Sequence, residues 1–459
     1  MDDLDRFQPR SPVTLTHPDW CRDAVIYQLN TRQFTPEGTF RAAQDHLERL
    51  ADLGVGIIWL MPVHEIGRQH RKGTLGSPYA VRDHYSVNPE FGDLDDLRSF
   101  VRAAHDLGLR VILDWVANHT AWDNVLVTEH PEWFDRDPLG ELRSTPWWDW
   151  DDVIDLDYSR PELRRYMTQA LAYWVREVDV DGFRCDVAGY VPTDFWEHAR
   201  TELERIKPVF LLAEWESREL HHAAFDATYA WTWNVTMHHI ASGRADVKAL
   251  HIYYSWNEKA FPRRSMRLMF VSNHDKNAWE GTEYEQFGDA VDAAIVLSVI
   301  GEGLPMIYSG QEAGNPRRLP FFERDPIDWQ PHRMAEVYRQ LITLRRRCPA
   351  LWNSDWGARM HWVPSTEGTR VLSFVRDNGT QKVFACLNLS PHPVEVSFSG
   401  LLHLGHYEDA LPGLSAPGPE VLAADTSVSL PPWGYRVLRS GPLVDLDRTL
   451  STGSPGMSA

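Results

Sequence analysis

Lysine is scarce in this chain: only six lysines stand among its 46 Lys and Arg residues. Basic residues are also outnumbered by 65 Asp and Glu, leaving a formal charge of -19. Such a surface repels phosphate backbones, which argues against nucleic acid as a partner and leaves neutral sugars unaffected. Cysteine is equally sparse. Cys21, Cys185, Cys348 and Cys386 lie far apart with no CxxC or CxxH spacing, which predicts reduced, mostly buried thiols rather than a disulfide framework. No apolar run approaches 18 residues, so no transmembrane helix and no membrane partner are expected. The opening MDDLDRFQPRSP lacks the apolar stretch of a secretory signal, which predicts a cytoplasmic protein. There is no internal repeat and no low-complexity tract.

What is present is size and aromatic content. A chain of 459 residues suits a barrel-sized unit of about 250 residues or more plus a smaller module. The 20 Trp and 15 Tyr offer flat rings to the apolar faces of sugars, although most belong to any large core. From residue 24 to about 347 strand-like and helix-like stretches alternate. Short β-branched runs fall at 24–29, 56–61, 110–115, 182–186, 209–214, 225–231, 267–273 and 305–309, the sixth poorly marked. Amphipathic helices are predicted at 40–53, 94–107, 161–178 and 332–347, with Ser159 as N-cap and Pro161 in the first turn of the third. Eight such units predict an α/β fold, a (β/α)8 TIM barrel, over an open doubly wound sheet.

The connection after strand three is too long for a simple loop and predicts a small inserted domain at 118–160. Beyond residue 350 short alternating segments separated by turns predict a C-terminal antiparallel β-sandwich. The expected division is therefore an N-terminal extension at 1–23, a barrel at 24–117 and 161–349, the insertion at 118–160, a sandwich at 350–440 and a flexible tail at 441–459.

Several strands end in polar clusters, and in a barrel these ends form the site. Strand three supplies Asp114, Asn118 and His119. Strand four supplies Arg184 and Asp186, strand five Glu214, and strand seven Asn273, His274 and Asp275. One such Asp alone is as well explained as a loop cap. Three carboxylates converging with an arginine and two histidines are costly to bury unless used. Two carboxyls about 5–5.5 Å apart support double-displacement glycoside hydrolysis. Arg184, two residues before Asp186, shares its side of the strand and can hold it ionised. Glu214 beside Trp215 is expected to have a raised pKa from desolvation and from the charge of Asp186.

The segments DWVANH at 114–119, GFRCD at 182–186, AEW at 213–215 and VSNHD at 271–275 resemble the α-amylase family, glycoside hydrolase family 13. So do VIDLDY at 153–158 and GLPMIYSGQE at 303–312, all in the family's order. The resemblance is to cyclomaltodextrinase-, neopullulanase- or cyclic maltosyl-maltose hydrolase-like members that lack the extra N-terminal β-domain. It makes the insertion the family's domain B. It implies Asp186 as nucleophile, Glu214 as acid/base and Asp275 as transition-state stabiliser. It further implies that Arg184, His119, His274, Trp215 and the stacking Tyr79 bind substrate, with Asp114 and Asn118 as structural support. The implied substrate is an oligosaccharide. After the nucleophile the chain reads Val187-Ala188-Gly189, where many starch-degrading relatives carry a polar pair. That departure turns the expectation from starch toward small imported α-glucans, linear, cyclic or branched. No cofactor is expected to be required; Asn118 and Asp155 match positions that bind calcium in many relatives, so calcium stays open, as does the oligomeric state.

Weaker signals carry plain readings beside sharper ones. His221-His222 and His238-His239 lack ligand-spaced partners and are expected to be packed or solvated. Trp147, Trp148 and Trp150 form either a wall for sugar or the insertion's own core. Competing functions are a transglycosylase or isomerase on the same scaffold, a starch-type α-amylase, and a non-catalytic barrel, which the three retained carboxylates oppose.

Overall fold

A computed structural model describes residues 13–445. Eight parallel strands close into a barrel in chain order: β1 (Ile26–Leu29), β2 (Ile57–Leu60), β3 (Arg110–Val116), β4 (Gly182–Asp186), β5 (Phe210–Ala213), β6 (Ala227–Tyr229), β7 (Met266–Met269) and β8 (Leu304–Tyr308). The runs are buried on both faces, as parallel strands covered by helices must be. Ile26, Ile57, Trp59, Ile112, Phe210, Leu212, Leu268 and Met306 belong to the cluster filling the barrel interior.

Local details depart from expectation for identifiable reasons. The predicted helix at 40–53 is two helices, Phe40–Gln44 and Leu47–Leu53, broken at Asp45-His46. β6 is only three residues long, because Trp231 already opens the helix Trp231–Ala241. β7 stops at Met269, so Asn273 lies beyond the strand. Ser159 is not the N-cap of Pro161–Glu177; the cap position is Arg160, with no side-chain bond, and the Ser159 N–H is instead accepted by Asp157 Oδ1 at 2.9 Å.

The stretch after β3 returns on itself as a two-stranded ladder, His119–Ala121 against Val153–Asp155. That ladder roots the insertion at the C-terminal mouth of the barrel. Past the barrel, a five-stranded antiparallel sheet and the pair Val394–Ser397 with Ser427–Leu430 enclose a core of Val371, Phe384, Cys386, Val396, Phe398 and Leu438. Residues 13–23 are packed across the chain rather than trailing: His17 Nδ1 lies 2.7 Å from buried Asp226. The expected flexible tail is held at its start, where the Val444 N–H donates to the Arg347 carbonyl at 2.9 Å; its remainder, and residues 1–12, lie outside the described residues. All four cysteines are buried and unpaired. No helix among the described residues is long and apolar enough to cross a membrane.

Candidate active site

Strand alternation builds the centre of the site. Residues two apart on a strand share a face. Arg184 and Asp186 therefore point together, while Cys185 faces the opposite way into the main core. β4 pairs with β5 so that Cys185 stands opposite Ala213, and the Glu214 N–H continues the ladder to the Cys185 carbonyl at 3.0 Å. Asp186 and Glu214 are thus the next neighbours in register. Adjacent strands lie about 4.8 Å apart, close to the separation that double displacement needs. On the other side Asp114 of β3 stands opposite Arg184.

Arg184 has no solvent exposure and binds all three groups. Its Nη1 donates to Asp114 Oδ1 and Asp186 Oδ1, both at 2.8 Å, and its Nη2 lies 2.9 Å from Glu214 Oε1. Trp59, Tyr79 and Tyr229 pack around the guanidinium with ring centres 5.0, 5.5 and 5.8 Å away. Burial alone would depress this arginine, but Asp114 and Glu214 carry it well above its ordinary value. One fixed cation thus serves a crowd of carboxyls that cannot all ionise together.

The carboxyls respond accordingly. Burial pushes Asp186 up to about 6, against the pull of Arg184. Arg184 is therefore not strong enough to keep Asp186 at an ordinary carboxylate value, yet Asp186 remains the easier of the pair to ionise. Glu214 is pushed further, to about 7, by burial first and then by Asp186. Asp275, whose side chain is 35% open, is also raised, through burial and the charge of Glu214.

A second chain of bonds fixes the sugar-facing groups. The Gln28 amide donates to His274 Nδ1 at 2.6 Å, so Nε2 carries the proton and meets the Tyr79 oxygen at 2.7 Å. Tyr79 in turn donates to Asp114 Oδ2 at 3.0 Å, beside Trp59 Nε1 at 3.1 Å. Burial lowers both His274 and His119, the latter to about 4, so both are neutral donors near pH 7. His119 is oriented by the Asn118 amide at its Nδ1 (3.2 Å), leaving Nε2 3.8 Å from Asp186 Oδ2. Asp275 and His274 begin a helical turn that continues as the wide turn Lys276–Glu280, with Asn273 Oδ1 accepting from the Lys276 N–H at 2.8 Å.

These groups open into one cavity of about 460 Å³. Asp186, Glu214, Asp275, His119, His274 and Tyr79 line its floor. Asp114 and Arg184 lie buried beneath it. Trp215 does not line it: its ring lies against Tyr190, 5.1 Å between centres, and over Gly189, where a Cβ would sit 2.1 Å from the indole. Trp147 is fully exposed and Trp148 more than half exposed, so neither is core of the insertion. Trp150 stacks on Trp148 (5.2 Å, 18°), meets His119 at 5.5 Å and lines the cavity, as do Trp279 and Phe321.

Asn118 and Asp155, the two positions at which calcium stays open, are bonded to each other and to Thr145. Asp155 Oδ1 already accepts from Thr145 Oγ1 at 2.6 Å and from the Asn118 amide at 3.3 Å. Among the described residues no group of three or more His, Cys, Asp or Glu is placed to hold a metal ion. His221 is buried and bonded to Thr228 Oγ1 at 2.9 Å.

Gln28, Trp59, Tyr229, Trp279 and Phe321 belong to the site and are not foreseen from the sequence. Gln28 had a signal, as a polar residue inside an apolar strand that must find a partner. The others sit among apolar neighbours or in loops, and nothing local marks them.

The family profile described as "Alpha amylase, catalytic domain" matches residues 24–379. The chain is 27% identical over 489 residues to a cyclomaltodextrinase of Geobacillus thermopakistaniensis (strain MAS1), covering 91% of this chain and 77% of that one. Among solved structures it resembles a noncanonic maltogenic α-amylase, AmyB, from Thermotoga neapolitana, with TM-score 0.78, 30% identity and coverage of 92% and 98%. A cyclic α-maltosyl-(1→6)-maltose hydrolase from Arthrobacter globiformis shares the fold at TM-score 0.71 and 20% identity, with coverage of 94% and 100%.

Proposed function

Because the chain belongs to the α-amylase family of retaining glycoside hydrolases, we propose that it hydrolyses small α-glucans: maltooligosaccharides and cyclic or branched maltosyl saccharides, at α-1,4 or α-1,6 bonds. Asp186 attacks the anomeric carbon from one face. Glu214, protonated near neutrality, gives its proton to the departing glycosidic oxygen. The resulting glycosyl ester on Asp186 is hydrolysed by water whose proton returns to Glu214, and the product keeps the α-configuration. Asp275, with His119 as a neutral donor, holds hydroxyls of the sugar at the cleavage point beside His274, while Tyr79 offers its ring face. Every step uses side chains of this chain, and the proposal includes no cofactor.

The observation that carries this reading is the register of β4 and β5, which seats Asp186 and Glu214 side by side over one guanidinium. The cavity is of a size for a short saccharide, and the likeness to a cyclomaltodextrinase and to a cyclic α-maltosyl-(1→6)-maltose hydrolase supports maltosyl substrates. Purified Asp186→Asn and Glu214→Gln enzymes should fold normally and lose roughly 10²–10⁴-fold in kcat on a maltooligosaccharide. Full activity in either variant, or a β-anomer as first product by NMR, would overturn the assignment.

A further inference from the structure

Trp147 stands where a tryptophan is least expected. The Trp148 N–H donates to the Thr145 carbonyl at 3.3 Å and closes the turn Thr145-Pro146-Trp147-Trp148. Proline in its second position and φ 70° at Trp147 in its third follow the pattern of a type II turn, whose third position favours Gly or Asn. A bulky residue there is strained. Packing does not offset the strain, because Trp147 is fully exposed. The support beneath it is firm. Thr145 Oγ1 donates to Asp155 Oδ1 at 2.6 Å, Ser144 Oγ donates to the Val153 carbonyl at 2.7 Å, and the Asp149 carbonyl accepts from Lys72 Nζ at 2.6 Å. The indole is held out into solvent on an anchored turn.

Its neighbours lead to it from the cavity. Trp150 lines the cavity and stacks on Trp148, which is more than half exposed. Trp148 Nε1 donates to the Tyr190 hydroxyl at 2.9 Å and so joins the insertion to the turn that follows Asp186. Trp147 is next in the chain to Trp148. The aromatic surface therefore continues from the cavity wall past its mouth. Asp149 and Asp151 follow in the same loop with largely exposed carboxylates. Their charge opposes an anionic ligand. A neutral sugar suits both features, with an apolar face for the indoles and hydroxyl donors for the carboxylates.

Resting on the reading of function above, we propose that Trp147 and Trp148 form a saccharide platform outside the catalytic cavity. It takes the part of a glucan that the cavity does not hold, whether a linear extension, a branch or the far arc of a ring. The strained turn serves this ligand rather than the fold, since it aims a ring that nothing in the folded chain covers. Trp147 acts on binding and touches no reacting atom.

The test measures binding by calorimetry in the Asp186→Asn enzyme, where turnover is suppressed. Maltoheptaose should bind at least about tenfold more tightly than maltotriose. Trp147→Gly and Trp147→Asn, added to that enzyme, both suit the turn and lack the ring. Each should cut the preference for maltoheptaose by about fivefold and raise the melting temperature by about a degree. Trp147→Tyr, as strained as the original but aromatic, should keep most of the preference. A preference unmoved by both Gly and Asn would overturn the platform. So would a melting temperature lowered by both, because Trp147 would then be a packing residue. Loss of a dimer by light scattering in these variants, with saccharide affinities unmoved, would overturn it in favour of a second copy of this chain. Failure of the Asp186→Asn enzyme to bind either saccharide would instead overturn the functional reading on which the platform rests.

Discussion

At the scale of single residues, the site works by giving similar groups different surroundings. Asp186 and Glu214 share Arg184, yet burial raises both, to about 6 and about 7, and the charge of Asp186 adds to the rise of Glu214. Activity needs Asp186 ionised and Glu214 protonated, so kcat/KM should fall as pH drops below about 6 and again as it rises above about 7. A pH–rate profile rising steadily to pH 9 would contradict these roles. Gln28 makes a sharper case. Its amide is the group that fixes the His274 tautomer. Gln28→Leu frees Nδ1 to take the proton, removes the donor toward Tyr79 and should lower kcat by roughly tenfold or more with little change in fold. Unchanged kinetics would show that the tautomer does not matter.

At the scale of elements, the turn after β4 carries the strain. Val187 adopts φ 35°, a left-handed conformation that costs a β-branched residue about 1–2 kcal/mol. The same turn aims the Val187 N–H at Glu214 Oε2, 2.9 Å away. The strain is thus spent on orienting the acid/base. Val187→Gly should relieve it and raise the melting temperature by a degree or two, while loosening Glu214 and lowering kcat. Calorimetry and steady-state rates check both; a lower melting temperature with normal kcat would refute the account. Elements also explain what the sequence hid. The strands and the polar residues at their ends were legible because period-two alternation and abrupt polar endings are local signals. The break at Asp45-His46, the short β6 and the Arg160 cap were not, because neighbouring packing decides them.

At the scale of the whole molecule, the site opposes the stability of the fold that holds it. Asp275 is raised by burial and by Glu214. In the folded chain it binds its proton more firmly than in the unfolded chain, so its contribution is fully present below pH about 4 and is lost as pH rises toward its folded value of about 8. Asp275→Asn, neutral at every pH, should match the wild-type melting temperature near pH 4 and exceed it at pH 8.5. Equal melting temperatures at both values would show that the carboxyl imposes no cost.

The sequence by itself determined the barrel, the inserted and C-terminal modules, and the polar strand ends, because each is written in a run of neighbouring residues. It did not determine which groups surround Arg184, that Trp215 turns away onto Gly189, that Trp148 and Trp150 stack as a wall, or that Lys72 meets three aspartates. Such contacts join residues distant in the chain, Gln28 and His274 by 246 positions. Only closure of the barrel brings such residues together, and only then do burial and charge assign the protons.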